Sequence, residues 1–214
     1  MKILITSGAT ALAQALASAF AGEHNVTLTD IVDVETEHTF EKNELSHEGK
    51  TEAMVEGMDA IVHLAELPES ERSDERELDF QTRCTYNVMY AAKEQKVPHV
   101  IYISSLSLFE ACDPNWNVTE VWAPRPSTEP GPMSRYLGEF TCREFAREHS
   151  VRVTVLRFGD LDGDGDSALA MDDAVTAIGK ALGTKGPMWQ VLHVQSEVEH
   201  ARFPIDQAKN VLEL

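Results

Sequence analysis

The sequence predicts an α/β protein, a Rossmann-like doubly wound parallel sheet with helices on both faces, in a single domain over residues 1–214. Apolar runs of strand length alternate with amphipathic stretches of helix length, the pattern of a parallel sheet covered on both sides. The first three segments already form a βαβ unit of about 30 residues: a strand at Lys2–Thr6, a small-residue helix from about Thr10 to Phe20 and a strand at Asn25–Thr29. The chain of 214 residues also stays below the roughly 250–300 at which a single core stops growing.

Taken in order, residues 34–50 are polar and weakly patterned, with room for a short strand near Phe40. Met54 to Met58 leads into a strand at Asp59–Ala65. Leu78, Phe80, Cys84, Val88, Ala91 and Ala92 recur at helical spacing, which predicts a long crossover helix over Glu75–Gln95. His99–Ser105 is the next strand. The stretch Glu110–Pro132, rich in Pro and Trp, is a loop long enough to be functional or disordered. A helix over Ser134–His149, a strand over Val151–Phe158 and a Gly and Asp loop over Gly159–Asp166 follow. Ala168–Leu182 (helix), Met188–Val194 (strand) and Ile205–Leu214 (helix) complete the series.

Composition narrows the function. The chain is 43% hydrophobic and 25% charged, as globular proteins are. Its 36 acidic against 18 basic residues give a net charge of -18, which disfavours nucleic acid and anionic membrane surfaces as partners. Cys84, Cys112 and Cys142 lie far apart without a disulfide or zinc spacing, and no apolar run reaches the length of a membrane span, so a cytoplasmic protein is expected. The sequon at Asn117–Thr119 is discounted for the same reason. Asp160, Asp162, Asp164 and Gly165 begin like a calcium loop, but Met171 stands where a bidentate Glu is required. His63 has no ligand cluster around it. No metal is predicted.

Doubly wound sheets bind ligands beyond the carboxyl ends of their strands at the switch point. There the chain reads Thr6-Ser7-Gly8-Ala9-Thr10-Ala11-Leu12-Ala13. A dinucleotide turn uses three small residues for the tight turn, for approach to the pyrophosphate and for helix packing, and these fall on Ser7, Thr10 and Ala13. Ser7, Gly8, Thr10 and Leu12 are the candidate cofactor contacts, with Thr10 crowding the pyrophosphate. Asp30, about 20 residues on, is placed to bond a ribose and to repel a 2′-phosphate.

Tyr86–Ala92 (YNVMYAA), Val100–Phe109 (VIYISSLSLF), Val153–Gly159 (VTVLRFG), Asp59–Ala65 (DAIVHLA), Tyr136 with Glu144 and the closing Arg202–Leu214 resemble the short-chain dehydrogenase/reductase superfamily. The likeness is to its extended branch of sugar-nucleotide epimerases, dehydratases and uronate dehydrogenase-like enzymes. It implies NAD or NADP as cofactor, with Leu64 and Ala65 at the cofactor edge, Ser105 bonding the reacting oxygen and Tyr136 as general acid/base. In the family's YxxxK motif a lysine follows one helical turn later, and here Phe140 stands in its place. The implied function is oxidoreductase or epimerase-like action on a small hydroxy or carbonyl, sugar-like substrate, with impaired motifs and weak or lost cofactor binding. The alternative is a pseudo-enzyme with a regulatory or scaffolding role. The resemblance further implies a homodimer through the helices around Phe80–Gln95 and Ser134–His149.

Overall fold

The computed structural model describes residues 1–47, 49–163, 165–198 and 201–214. Its centre is a seven-stranded sheet in which every pairing is parallel. The strands are β1 (Lys2–Ile5), β2 (Asn25–Asp30), β3 (Thr39–Lys42), β4 (Ala60–His63), β5 (His99–Ser105), β6 (Arg152–Phe158) and β9 (Trp189–Val194), in the order β3-β2-β1-β4-β5-β6-β9. The chain starts in the middle, winds outward to β3, returns past β1 to β4 and continues to β9. The reversal between β1 and β4 is the switch point.

The alternation of side chains along each strand divides the interior into two cores. Ile3, Ile5, Val62, Ile103 and Leu156 point to one face, covered by α1 (Ala11–Phe20), α6 (Met171–Gly183) and α7 (Asp206–Leu212). Leu4, Ile61, Tyr102, Val153 and Val155 point to the other, covered by α2 (Lys50–Val55), α4 (Thr85–Glu94) and α5 (Pro130–Arg147). Strands buried on both faces are nearly continuously apolar, which is why β4 and β5 read so clearly.

The structure departs from the sequence expectation in several elements. The predicted helix over Glu75–Gln95 is split into α3 (Asp74–Asp79), a π turn at Phe80–Cys84 and α4. The apolar periodicity continues through the turn, so the insertion leaves no trace in the pattern. α5 begins at Pro130, four residues before the expected Ser134, because proline is well suited to the first helical position. Ala168–Leu169 is not helical but forms β8, paired with β7 (Asp160–Leu161), and α6 starts only at Met171. The loop over residues 110–129 is pinned: Val118 N donates to Arg202 O at 2.9 Å, Arg125 N to Leu108 O at 3.0 Å, and Arg202 Nη2 to the carbonyls of Phe109 and Cys112. It encloses a third, small core of Leu106, Leu108, Phe109, Cys112, Val118 and Phe203.

Helix α5 lies unusually close to the sheet at Gly138. A Cβ there would collide with Tyr102 Oη and come within 2.9 Å of Gln81 O, a carbonyl of the π turn. Tyr102 is fully buried and donates to Gln81 Oε1 at 2.7 Å, so it has no room to withdraw. Gly138→Ala is therefore expected to destabilise the fold by about 1–3 kcal/mol, the usual range for overpacking, despite the better helix propensity of alanine. Denaturant unfolding of the two proteins checks this.

Candidate functional site

The exits of β1 and β4 are joined by side-chain hydroxyls. Thr6 Oγ1 accepts from Leu64 N at 3.1 Å, and Ser7 Oγ accepts from Glu66 N at 2.9 Å. Ser7 stands at φ 59°, the left-handed conformation that favours glycine, which accounts for a glycine position in this turn. Gly8 approaches β2 so closely that a Cβ would lie 3.3 Å from both Leu28 Cβ and Thr29 O. Thr10 is the N-cap of α1: its hydroxyl donates to Ser7 O at 2.8 Å and accepts from Ala13 N at 3.2 Å.

Asp30 is buried rather than solvated. Its Oδ2 accepts from Ala9 N at 2.9 Å and its Oδ1 from Ile31 N and Val32 N at 2.7 and 3.3 Å. Burial raises its pKa, and these three N–H groups oppose the rise. The carboxylate thus fixes the shape of the turn as well as marking the end of β2.

Beyond the carboxyl ends of β1, β4, β5 and β6 lies a cavity of about 680 Å³. It brings together four of the residues singled out in the sequence: Leu12, Leu64 and Ala65 on one side and Ser105 on the other. Ser7, Gly8, Thr10 and Asp30 form the adjoining turn and are not part of its lining. Ser105 Oγ accepts from Ser107 N at 3.0 Å, which leaves the hydroxyl proton free to donate into the cavity.

Tyr136 does not line the cavity with Ser105. It packs against the small third core around Phe109 and Phe203. Phe140, the position compared with the family's lysine, is 43% exposed on the outer side of α5, with the Arg143 guanidinium 4.8 Å above its ring. The cation that reaches the cavity from α5 is Arg135, and the residue one turn before it is Gly131, also in the lining. Arg135 Nη1 donates to Leu64 O at 2.9 Å and to Ile103 O at 3.0 Å, bridging the exits of β4 and β5. Sequence reasoning missed Arg135 because it anchored the motif on a tyrosine. The signal available was the buried stripe of Ser134, Gly138, Cys142 and Phe145, which sets the helix face and turns Tyr136 and Phe140 away from it.

One turn after Arg135, Glu139 forms a buried pair with Arg157 of β6. Its Oε1 accepts from Arg157 Nη2 at 2.5 Å and its Oε2 from Nε at 3.0 Å, and Ser104 Oγ donates to Oε2 at 3.0 Å. The Arg157 guanidinium also lies 5.0 Å above the Phe109 ring, so one ion pair joins α5, β5, β6 and the third core. His63 is held between Thr6 Oγ1 at 2.9 Å and Thr85 Oγ1 at 3.0 Å, and burial lowers its pKa to about 3. Of the aspartate loop, Asp160 lines the cavity, and Asp162 N donates to Leu169 O at 2.8 Å within the β7–β8 pair. Asp164 lies outside the described residues.

The family model described as the NAD dependent epimerase/dehydratase family matches residues 3–196. Among solved structures, the uronate dehydrogenase from Agrobacterium tumefaciens superposes with a TM-score of 0.86 at 19% identity, covering 98% of this chain and 82% of that one. The glucuronic acid dehydrogenase from Chromohalobacter salexigens gives 0.85 at 20% identity, covering 99% and 82%. The UDP-N-acetylglucosamine 4-epimerase from Bacillus cereus gives 0.84 at 16% identity, covering 100% and 93%. At these identities the structures show a shared fold. No curated protein matches the chain.

Two predictions follow from these side chains. Removing Arg157 as Arg157→Met leaves Glu139 buried without its cation and should cost about 3–5 kcal/mol, whereas the double change with Glu139→Leu should recover much of that loss; urea unfolding of the set measures both. Burial also holds His63, His99 and His193 neutral, each lowered from 6.5 to about 3. The unfolded chain takes up these protons first, so their contribution to stability is present above pH 6.5 and is lost as the pH falls from there toward about 3. His193 is fully buried, and neither ring nitrogen has a hydrogen-bond partner among the described residues. His193→Met should therefore flatten the loss of thermal midpoint on acidification at little cost at neutral pH, as a pH series of melting curves would show.

Proposed function

Because the chain belongs to the NAD-dependent epimerase/dehydratase family, we propose that it binds NAD in preference to NADP and acts as an oxidoreductase or epimerase on a small hydroxy or carbonyl, sugar-like compound. The observation that carries this reading is the cavity at the switch point, with Leu12, Leu64 and Ala65 on the cofactor side and Ser105 opposite. The residues fit a dinucleotide in outline. The N-terminus of α1 opens beside Leu12, the turn is tight at Ser7 and Gly8, and Asp30 stands at the end of β2 where a 2′-phosphate would meet its charge. Thr10 and the nearby Glu66 make the phosphate cradle poorer than a glycine turn, so the binding is weak.

When bound, the nicotinamide supplies a hydride donor or acceptor. The chain's own part is to place the substrate: the Ser105 hydroxyl, oriented by the Ser107 amide, donates to the reacting oxygen. Arg135 holds the exits of β4 and β5 in register and brings positive charge to the cavity. A volume of about 680 Å³ favours a compact substrate over a sugar nucleotide once the nicotinamide occupies part of it. The loop over residues 110–129 and the chain from about residue 159 supply the substrate side. A cytoplasmic location agrees with three free, buried cysteines.

A second reading, the non-catalytic one, is favoured by one observation. The turn of α5 that faces the cavity carries Gly131 before Arg135, and Tyr136 points elsewhere. Titrating protein fluorescence with NADH and NADPH, beside a turnover panel of small hydroxy and carbonyl compounds, separates the readings. Weak binding with NADH favoured is expected. If the chain is an enzyme, Ser105→Ala should lower turnover by about a hundredfold or more while Tyr136→Phe leaves it nearly unchanged. NADH binding without turnover of any compound would select the non-catalytic role, and tight NADPH binding would overturn the cofactor preference.

We further propose a homodimer through α4 and α5. Tyr86 and Phe140 are 46% and 43% exposed there, and Tyr86 stacks on Tyr90 with ring centroids 6.2 Å apart. Light scattering should give twice the chain mass, and Tyr86→Glu with Phe140→Glu should give the monomer.

A further inference from the structure

The cavity walls carry the carboxylates of Glu66, Glu77, Glu110, Glu129 and Asp160. Only two guanidiniums, those of Arg72 and Arg135, oppose them among the described lining residues. Arg72 is shared, with Nη2 3.3 Å from Glu66 Oε1 and Nε 3.4 Å from Glu77 Oε1. Arg135 is tied through Nη1 to two main-chain carbonyls. The space is therefore negative on balance, although it belongs to a fold whose relatives include a uronate dehydrogenase and a glucuronic acid dehydrogenase.

Glu77 is set apart by its position. Helix α3 packs on α5, and a Cβ built on Gly131 would lie 3.9 Å from Glu77 Oε2, the oxygen other than the one Arg72 approaches. Glycine thus leaves a gap of about one side-chain carbon in the cavity wall one helical turn before Arg135, and that gap ends on a carboxylate oxygen.

Resting on the reading of this cavity as the small-substrate site, we propose that Glu77 sets its specificity: Glu77 Oε2 receives a substrate ammonium in the space left by Gly131. The cavity accordingly selects an amino-bearing hydroxy compound of the amino-sugar class over a uronate. Discrimination of this kind is a difference between two affinities, and both sides contribute. An ammonium gains a charged hydrogen bond in a partly enclosed space where screening is reduced, whereas a substrate carboxylate meets the unbalanced charge of the walls.

Calorimetric titration of the whole protein with glucosamine, glucose and glucuronate, with and without saturating NADH, tests the assignment. Glucosamine should bind about fivefold tighter than glucose, the scale of one partly exposed ion pair, and glucuronate should bind more weakly than glucose. Glu77→Gln should bring glucosamine to the level of glucose. Gly131→Leu, which fills the space while leaving the charge of the carboxylate in place, should also remove the preference, and serves where the first variant folds poorly. Glucuronate binding as tightly as glucosamine, or a preference that survives both changes, would overturn the role of Glu77 and leave the cavity reading intact. Failure of all three sugars to bind at tens of millimolar would overturn the cavity reading and the assignment with it.

Discussion

The close approach of α5 to the sheet at Gly138 is the constraint on which the rest of the site depends. Only a residue without a side chain lets the helix rest on Tyr102 Oη and on the carbonyl of Gln81. At that depth Arg135 reaches the carbonyls of Leu64 and Ile103, and Glu139 reaches Arg157 and Ser104. Had the helix stood farther out, neither pair could form, and the cavity would lose the wall that separates it from the second core. The π turn belongs to the same arrangement: it lies against Gly138, and it places Gln81 to donate to Ala65 O and to accept from Tyr102. An inserted residue in a helix is unfavourable by itself, and its occurrence beside a ligand cleft is common.

Buried polar groups in this protein work mainly as joints. Thr6 and Ser7 join β1 to the exit of β4; Asp30 joins β2 to the turn after β1; Glu139 and Arg157 join α5 to β6. Each lies near the carboxyl end of the sheet, where the strands separate and main-chain groups leave the ladder. Those groups need partners, and the side chains that supply them also fix the cavity's shape. Part of the acidity has the same origin, since Asp30 and Glu139 are structural carboxylates enclosed by donors, whereas Glu77, Glu110 and Glu129 line open space.

Much of the architecture was legible because parallel strands buried on both faces are nearly continuously apolar, as in β1 and β4, and because the few polar residues of β5 and β6 interrupt an otherwise apolar run. The edge strand β3 was faint because only one side of its ladder is paired and its residues are mostly exposed. The pair β7–β8 and the π turn depend on tertiary contacts that local pattern does not encode. At the site, Leu12, Leu64, Ala65 and Ser105 were legible because a strand or helix end determines where each must lie. Gly131, Arg135 and Glu77 were not, for a reason of register. A tyrosine attracts a motif, but the face of a helix is set by its buried stripe, and in α5 that stripe places Arg135 inward one residue before Tyr136.

That register shift bears directly on chemistry. A phenol in the cavity would supply a group able to give and take a proton, and the inward face of α5 supplies instead an open position at Gly131 and a guanidinium that stays charged. The fold around them superposes on a dehydrogenase with a TM-score of 0.86 at 19% identity, and a shared fold does not by itself fix the chemistry. The lining carboxylates beside Gly131 sit on α3 and at the start of α5. Gly131 and the Glu77 carboxylate beyond it form one wall of the cavity, and the proposed preference for an ammonium over a carboxylate rests on the charge of that wall.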